Sequence, residues 1–428
     1  MAQDYKNVVL IDNWTDTTVL KGPEDVRFSD LWCFTTNGSN YAVIGSTEGA
    51  HIVRIAKDSI EFIQFWPGAF QNVVVQNRDY KTYKNYLYAV CDEGPSTLQI
   101  FDLQYLPDSV SLVYESNSLF LTAHNIFIDT ATAKLYVSAP NSVGMKVFDL
   151  SDPVDPALIY DFTDLAYVHD CFVRHDTAFV NGGVDGLRIY NFSGPVPILK
   201  GVLDFYPNQG YNHSGRLSPD GSKYAFTDET EGAKIKLCYI DDLSQIQVNQ
   251  TFATADYSEL IVHKVVLLNS LAFVSYYNAG LRIFDLTASP VREIAAYDTF
   301  LPETDFKMNG AWGVCVFPES DQVVISDRQG GLYLFGFPIR VWESGEMGTF
   351  VSNVPFIDGQ SILITREHFA KDGLFFTIAT STGQVIYQQE NYLNWVQIPL
   401  NLAPGGYVYG IFDADLQRLE GGKFIVGN

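Results

Sequence analysis

Basic residues are scarce in this 428-residue chain, which has 27 Lys and Arg against 50 Asp and Glu and a net charge of −23. An acidic surface repels phosphate backbones and anionic headgroups, so we expect no nucleic-acid partner and no membrane-surface binding. Long apolar runs are also missing, because no segment approaches the ~18 residues of a membrane span. The first residues have no basic n-region or apolar h-region and thus no signal peptide, and the mature form of an exported protein would look the same.

Cysteine is rare and scattered. The five cysteines are Cys33, Cys91, Cys171, Cys238 and Cys315, and each lies inside an apolar stretch. Their odd number and wide spacing argue against a disulfide framework and against CxxC metal clips. We therefore expect all five to be small buried hydrophobic residues.

Common catalytic motifs are absent as well. The chain has no GxSxG elbow, HExxH helix, Walker loop, GxGxxG loop or EF-hand loop. His213 and Ser214 are neighbours on a predicted strand, where successive side chains point to opposite faces. We expect that they cannot form a nucleophile pair, so any catalytic site must combine residues that are far apart in the chain.

The dominant feature is a repeat, a short hydrophobic strand that in its clearest copies ends in an aromatic residue followed by Asp or Asn. Copies occur at residues 51–55, 98–103, 145–150, 187–192, 235–241, 281–286 and 332–337. Their spacing of roughly 40–50 residues is typical of propeller blades, each built from four strands. The sequence therefore predicts an all-β fold, a seven-bladed β-propeller over residues 1–338 closed by the N-terminal strand, which hides the sheet edges.

Two local features predict turns. Asp102, Asp149 and Asp285 follow the third strand of their repeats, and we expect each to cap the next turn by accepting a backbone hydrogen bond from two residues on. Residues 218–221 read Ser-Pro-Asp-Gly, in which Gly221 takes the position that needs a positive φ.

The repeat stops after Pro338. Residues 339–350 are predicted to be a connector, and residues 351–428 contain six or seven short strand patterns. This density of strands predicts a small β-sandwich as a second domain.

The C-terminal segment resembles the sorting domain of the Bacteroidetes type IX secretion system. The resemblance rests on residues 382–387, 402–409 and 422–426, and in particular on Gly383, Gln384, Gly406, Tyr407 and Lys423. It implies a secreted or cell-surface protein whose tail binds the secretion machinery and whose signal peptide has been removed.

The repeat region resembles the choice-of-anchor B family, which is built from LVIVD-type repeats. The matching segments are residues 29–32, 77–79, 123–125, 168–170, 310–314 and 326–332. This resemblance implies an exported protein that is anchored at the surface or released, and it assigns no activity.

Propeller geometry predicts where a site would lie, because the innermost strands start at the same end as the hairpins between the second and third strands. The starts carry Arg78, Asp79, Trp312 and four histidines at equivalent positions, His124, His169, His213 and His263. The hairpins add Asp92-Glu93, Asp228-Glu229 and Asp327-Arg328. From these we predict a ligand site at the mouth of the channel, formed by Arg78, Asp79, the four histidines, Asp228, Trp312, Asp327 and Arg328.

Two roles remain open for the four histidines. A polar residue at the same place in every blade can bond the backbone of the next blade. Imidazole and carboxylate groups around a channel can instead hold a glycan, a peptide or a divalent metal ion. The main hypothesis is a non-enzymatic surface protein that binds such a ligand. The alternative is a metal-dependent hydrolase or lyase that uses the histidines with Asp228 or Asp327.

Overall fold

The computed structural model describes residues 5–268, 270–302 and 305–337, and in the C-terminal part residues 356–357, 361–365, 374–380, 384–391, 395–399, 405–412 and 418–426. Within these residues the chain forms β-strands and short 3-10 turns but no α-helix, which confirms the all-β prediction. The turns are Pro23–Asp25, Pro140–Ser142, Leu243–Gln245, Tyr257–Glu259, Tyr277–Ala279 and Pro318–Ser320. No helix able to cross a membrane occurs in this part of the chain.

The strands between residues 5 and 337 follow one another with short connections. They are β1 (Tyr5–Lys6), β2 (Val9–Trp14), β3 (Phe28–Thr36), β4 (Ser39–Ser46), β5 (Gly49–Ile55), β6 (Ile60–Pro67), β7 (Arg78–Tyr83), β8 (Tyr86–Cys91), β9 (Leu98–Asp102), β10 (Ser111–Ser116), β11 (Asn125–Asp129), β12 (Lys134–Ser138), β13 (Met145–Asp149), β14 (Ala157–Phe162), β15 (Asp170–Arg174), β16 (Thr177–Asn181), β17 (Leu187–Asn191), β18 (Ile198–Leu203), β19 (Asn212–Leu217), β20 (Lys223–Asp228), β21 (Ile235–Tyr239), β22 (Gln250–Phe252), β23 (Val262–Leu268), β24 (Leu271–Tyr276), β25 (Gly280–Asp285), β26 (Arg292–Tyr297), β27 (Ala311–Phe317), β28 (Gln322–Asp327) and β29 (Gly331–Gly336).

Four consecutive strands pair side by side into one sheet, and this unit recurs along the chain. The sheets are β3–β6, β7–β10, β11–β14, β15–β18, β19–β22 and β23–β26. The last of these sheets has a fifth strand, because β1 lies beside β26. The next sheet has the order β2-β29-β28-β27, so β2 lies beside β29. The side-chain amide of Asn13 in β2 donates to the carbonyl oxygens of Gly330 at 3.1 Å and Leu332 at 2.9 Å.

The predicted turn chemistry is present. The backbone N–H two residues after Asp102, Asp149 and Asp285 donates to the aspartate Oδ1 at 2.9, 2.5 and 2.9 Å respectively. Gly221 has a φ of +77°, and its N–H donates to the carbonyl of Ser218 at 2.9 Å. Both turn predictions are therefore confirmed, since these interactions depend on residues that are adjacent in sequence.

Consecutive sheets pack face to face through aromatic and branched side chains. Phe127 of β11 contacts Phe172 of β15 with ring centroids 5.1 Å apart, and Phe179 of β16 stacks on Tyr224 of β20 at 4.4 Å. Such aromatic pairs contribute about 0.5–1.5 kcal/mol each beyond their buried area. The first strands of these sheets, from β3 through β7, β11, β15 and β19 to β23, lie next to one another, which is a propeller-like arrangement.

One cysteine prediction is wrong. Cys33 in β3 and Cys315 in β27 form a disulfide, although 282 residues separate them in sequence. They lie on the first strands of the first and last repeats, and the fold brings their Cα atoms to 6.3 Å. Cys91, Cys171 and Cys238 are free and buried, as expected.

The chain divides into two compact units. The first contains residues 12–316 and 324–333, and the second contains residues 5–11, 317–323 and the described residues from 334 onward. The C-terminal strands are β30 (Phe356–Ile357), β31 (Ser361–Thr365), β32 (Leu374–Thr380), β33 (Val385–Asn391), β34 (Trp395–Pro399), β35 (Gly405–Phe412) and β36 (Arg418–Val426). They form one sheet of order β30-β36-β35-β32-β33 and a β31-β34 pair. The predicted connector, residues 339–350, lies outside the described residues.

We expect that replacing both Cys33 and Cys315 with serine lowers the free energy of unfolding by about 2–5 kcal/mol, because the disulfide closes a long loop and restricts the unfolded chain. Guanidinium unfolding with and without a thiol reductant measures this difference. The reductant should destabilise the wild-type protein and leave the double variant unchanged. Equal unfolding midpoints for the reduced and oxidised wild type would contradict the prediction.

Candidate functional site

The four predicted histidines share one backbone arrangement, in which the histidine is an extra residue at the start of the innermost strand. His213 falls between the pairs made by Asn212 and Ser214 with β20, and His263 interrupts the pairing of β23 with β24 in the same way. Such a bulge bends the strand locally and re-aims the side chain of the extra residue.

The other two histidines lie just before their strands and repeat the pattern. The N–H of His169 donates to the carbonyl of Asn181 at 2.9 Å, and Asp170 pairs with the same Asn181. His124 donates in the same way to the carbonyl of Ser138, at 3.1 Å. The common geometry explains why the four side chains come together.

The bulge at His213 overturns one expectation. The side chains of His213 and Ser214 are in contact, with Nδ1 and Oγ 3.0 Å apart, because the extra residue breaks the alternation of faces. Ser214 is buried, and its hydroxyl donates to the carbonyl of His263 at 3.1 Å. This hydroxyl therefore joins two sheets.

Bonding to the backbone of the neighbouring sheet, one of the two roles considered for the four histidines, is present at His169 and His263. Nδ1–H of His169 donates to the carbonyl of His213 at 3.0 Å, and Nδ1–H of His263 donates to the carbonyl of Trp312 at 2.6 Å. A carbonyl can only accept, so Nδ1 carries the proton in both rings. When the ring is neutral, this tautomer leaves a free lone pair on Nε2.

The rings form a continuous row that we call the histidine arc, made of His124, His169, His213, His263 and Trp312. Successive ring centroids are 4.2, 4.2, 4.5 and 4.6 Å apart. The guanidinium of Arg328 lies 4.9 Å from the centroid of the Trp312 ring. The predicted histidines, Trp312 and Arg328 are therefore brought together.

Burial sets the protonation of the arc. It lowers the pKa of His169, His213 and His263 well below the usual histidine value, so these rings are neutral at pH 7. Burial also lowers the pKa of His124, but the hydrogen bond to Asp92 at 2.8 Å and the charge of that carboxylate outweigh it and raise the pKa overall.

Glu229 faces the arc. Its Oε1 lies 3.9 Å from Nε2 of both His213 and His263, and it accepts a hydrogen bond from the Tyr277 hydroxyl at 2.5 Å. Burial raises the pKa of this carboxyl, against the effect of Tyr277. One ligand atom from each of His169, His213 and Glu229 lies within 4.8 Å of the others.

Asp228, which precedes Glu229 and was predicted as a site residue, has other partners. Its carboxylate is fully buried and pairs with Lys236 Nζ at 2.6 Å. It also accepts from the Tyr206 hydroxyl at 3.0 Å and from the N–H of Gly210 at 2.6 Å. Strand β20 ends at Asp228, so Glu229 is the first residue beyond it. Recognising that β20 ends at Asp228 would have favoured Glu229 as the site residue, because Glu229 is the first residue of the hairpin that follows.

Two further predicted residues bond the backbone. The Arg78 guanidinium is buried and donates to the carbonyls of Ser46 at 2.7 Å and Phe70 at 2.5 Å. Asp327 Oδ1 accepts from the N–H groups of Gln329 at 3.0 Å and Gly330 at 2.7 Å, and burial raises the pKa of its carboxyl to about 6. Both side chains support the loops around them.

Arg328 joins several of the segments that link the strands. Its guanidinium donates to the carbonyl of Met308 at 2.6 Å and to Gln76 Oε1 at 3.0 Å. Together with its contact to Trp312, these bonds hold one end of the histidine arc in place.

A second group of charged residues lies among the first five residues of the innermost strands. We call it the charged belt; it consists of Asp30, Asp79, Lys81, Asp170, Arg216 and Lys264. Lys81 Nζ lies 2.8 and 3.0 Å from the two oxygens of Asp79, and Lys264 pairs with Asp30. Burial raises the pKa of Asp170, while Lys264 and Arg216 oppose the increase. Three acids and three bases from five sheets thus meet with balanced charge.

The predicted sorting residues lie in the C-terminal unit. Gly406 and Tyr407 belong to β35, Lys423 belongs to β36, and these two strands pair antiparallel with Tyr407 opposite Phe424. Gln384 immediately precedes β33, whereas Gly383 lies outside the described residues.

No protein-family model and no curated protein matches the sequence. Several solved structures have a fold similar to that of this chain. PorZ, an essential surface component of the type IX secretion system of Porphyromonas gingivalis, matches 97% of this chain with a TM-score of 0.53 at 14% identity. The match covers 61% of the PorZ chain.

Other structures with a similar fold are described by names that have no relation to PorZ. A proposed 6-phosphogluconolactonase from Bacteroides uniformis has a TM-score of 0.52 at 14% identity, with 71% of this chain and 90% of that chain covered. U3-55K has a TM-score of 0.56 at 13% identity, with 74% and 98% covered. Identities this low establish a shared fold, and a shared fold alone does not assign an activity.

We expect Asp228→Asn and Glu229→Gln to differ sharply in stability. Asp228→Asn leaves the buried Lys236 charge uncompensated and should lower the free energy of unfolding by about 3–5 kcal/mol. Glu229→Gln keeps an acceptor for the Tyr277 hydroxyl and should change the free energy of unfolding by less than about 1 kcal/mol. Denaturant unfolding of the two variants measures this, and equal losses would show that the two acids have the same role.

Proposed function

We propose that the protein is an exported β-propeller of the cell surface or extracellular space that binds a ligand at the mouth of its central channel. In this proposal residues 1–338 form seven blades, and residues 351–428 form a small β-sandwich that directs secretion. The repeat region belongs, in the same proposal, to the choice-of-anchor B type with LVIVD-like repeats.

Two observations support a closed ring. Strand β2, from the start of the chain, lies beside β29 from the last repeat. The disulfide joins β3 of the first repeat to β27 of the last. Joining the two ends removes the exposed sheet edges that an open array would have.

Export is supported by three independent features. The C-terminal segment resembles a type IX sorting domain, and the fold resembles that of PorZ, a surface component of that system. The disulfide between Cys33 and Cys315 also favours an oxidising environment outside the cytosol.

The ligand site rests on one observation: the histidine arc is fixed through Nδ1 and leaves Nε2 unused. Within the described residues, no hydrogen bond reaches Nε2 of His169, His213 or His263, and Glu229 lies 3.9 Å from two of these atoms. Tyr211 lies beside them, 5.5 Å from the ring of His169. Neutral acceptors, one carboxylate and aromatic faces suit a glycan, a peptide or a metal ion.

The His124–Asp92 pair favours the alternative function, a metal-dependent hydrolase or lyase. A carboxylate-bound imidazole with a raised pKa, next to His169, is a suitable general acid. An enzyme of this kind would lose turnover in an Asp92→Asn variant.

Deleting residues 351–428 tests the export proposal. In a bacterium with a type IX system, the full chain should reach the surface or medium, and the truncated chain should accumulate before the outer membrane. Surface proteolysis and immunoblotting of cell fractions measure the difference. As a control, fusing residues 351–428 to a periplasmic reporter should export the reporter; normal delivery of the truncated chain would contradict the proposal.

Glycan and peptide arrays test the ligand site. We expect selective binding by the wild type and loss of that binding in Glu229→Gln, because the variant removes the carboxylate charge at the arc. Replacement of the exposed His175 by Asn serves as the control and should leave binding unchanged. Identical array profiles for wild type and Glu229→Gln would contradict a ligand site at the arc.

A further inference from the structure

We propose that Nε2 of His169, Nε2 of His213 and the carboxylate of Glu229 bind a divalent transition-metal ion of the zinc class. The inference rests on the proposed ligand site at the mouth and specifies what that site holds. These three residues come from the sheets β15–β18 and β19–β22, and the fold brings their ligand atoms within 4.8 Å of one another.

The distances are close to those of a metal site. Tetrahedral zinc with bonds of about 2.1 Å places its ligand atoms about 3.4 Å apart. Nε2 of His213 and Oε1 of Glu229 are 3.9 Å apart, and the whole set lies within 4.8 Å. Side-chain shifts of about 1 Å or less would bring the three atoms to coordination distance.

The surroundings of each ligand match those of protein metal sites. A ligating histidine donates its other ring N–H to a carbonyl or carboxylate, which fixes the ring and the tautomer. His169 donates Nδ1–H to the carbonyl of His213, and Nδ1 of His213 contacts the Ser214 hydroxyl. Tyr277 donates to Glu229 Oε1 and orients the carboxylate. The orienting bonds are already formed around all three ligands.

The donor set selects the class of ion. Two neutral imidazoles and one carboxylate favour Zn, Cu, Ni, Co or Fe over Ca and Mg, which prefer oxygen ligands. Three protein ligands leave at least one coordination position open, as in catalytic zinc sites. Nε2 of His263 also lies 3.9 Å from Oε1 of Glu229.

The charged belt does not offer an equivalent site. Its Asp79 carboxylate is bound by Lys81, and the same carboxylate accepts from the N–H of Ile126 at 2.8 Å. Asp30 pairs with Lys264. Ammonium groups already neutralise these acids, so a metal ion gains less there than at the arc.

Zinc titration of the metal-free full chain tests the proposal. Isothermal titration calorimetry should show one Zn²⁺ per chain, and Co²⁺ in place of Zn²⁺ should give the visible absorption of a four-coordinate site. His169→Asn is the informative variant, because the Asn amide can still donate to the carbonyl of His213 while Nε2 is lost. We expect it to weaken zinc binding by about 100-fold or more with little change in unfolding temperature.

Matched variants complete the test. Glu229→Gln should weaken zinc binding to a similar extent. His175→Asn makes the same change as His169→Asn but at an exposed histidine, and it should leave zinc binding unchanged. If His169→Asn fails to fold, Glu229→Gln decides the outcome alone. Absence of zinc binding by the wild type, or equal binding by Glu229→Gln and His175→Asn, would overturn the metal site. Array binding that persists without metal would then leave the ligand site intact, so the two proposals can fail separately.

Discussion

The packing of consecutive sheets depends on hydrogen bonds that pass from side chains of one sheet to backbone carbonyls of the next. Each four-stranded sheet is a separate ladder, so its inner edge needs partners from outside. The carbonyl of His213 accepts from His169, and the carbonyl of Trp312 accepts from both His263 and the Ser275 hydroxyl, the latter at 2.7 Å. The carbonyl of His263 accepts from the Thr227 hydroxyl at 2.6 Å.

The same bonds give the site its chemistry. An imidazole has two nitrogens, so a histidine that supports the next sheet through Nδ1 can still present Nε2 to a ligand. The structural and the ligand-binding roles of the arc are therefore compatible. Burial keeps three of the rings neutral, and His124, whose Nδ1 is hydrogen-bonded to the Asp92 carboxylate, lies at the end of the row. One repeated residue type therefore has a lowered pKa in three rings and a raised pKa in the ring at the end of the row.

Features that depend on neighbouring residues were predictable from the sequence, and features that depend on pairing were not. The aspartate turn caps and the turn at Gly221 are local, and both appear as expected. The bulge at His213 is visible only when β19 is paired with β20, which is why the contact with Ser214 was missed. The choice between Asp228 and Glu229 likewise depended on the residue at which β20 ends. The Cys33–Cys315 contact required the relative positions of the first and last repeats.

The disulfide has a consequence for the covalent topology of the chain. Residues 33 to 315 form a macrocycle, because the backbone and one sulfur–sulfur bond make a closed loop through almost all of the repeats. Cutting a single peptide bond in any loop of that segment opens the macrocycle but releases no fragment. Two cuts are needed before any piece can leave. A single proteolytic cut within this segment therefore leaves all residues of the chain covalently connected.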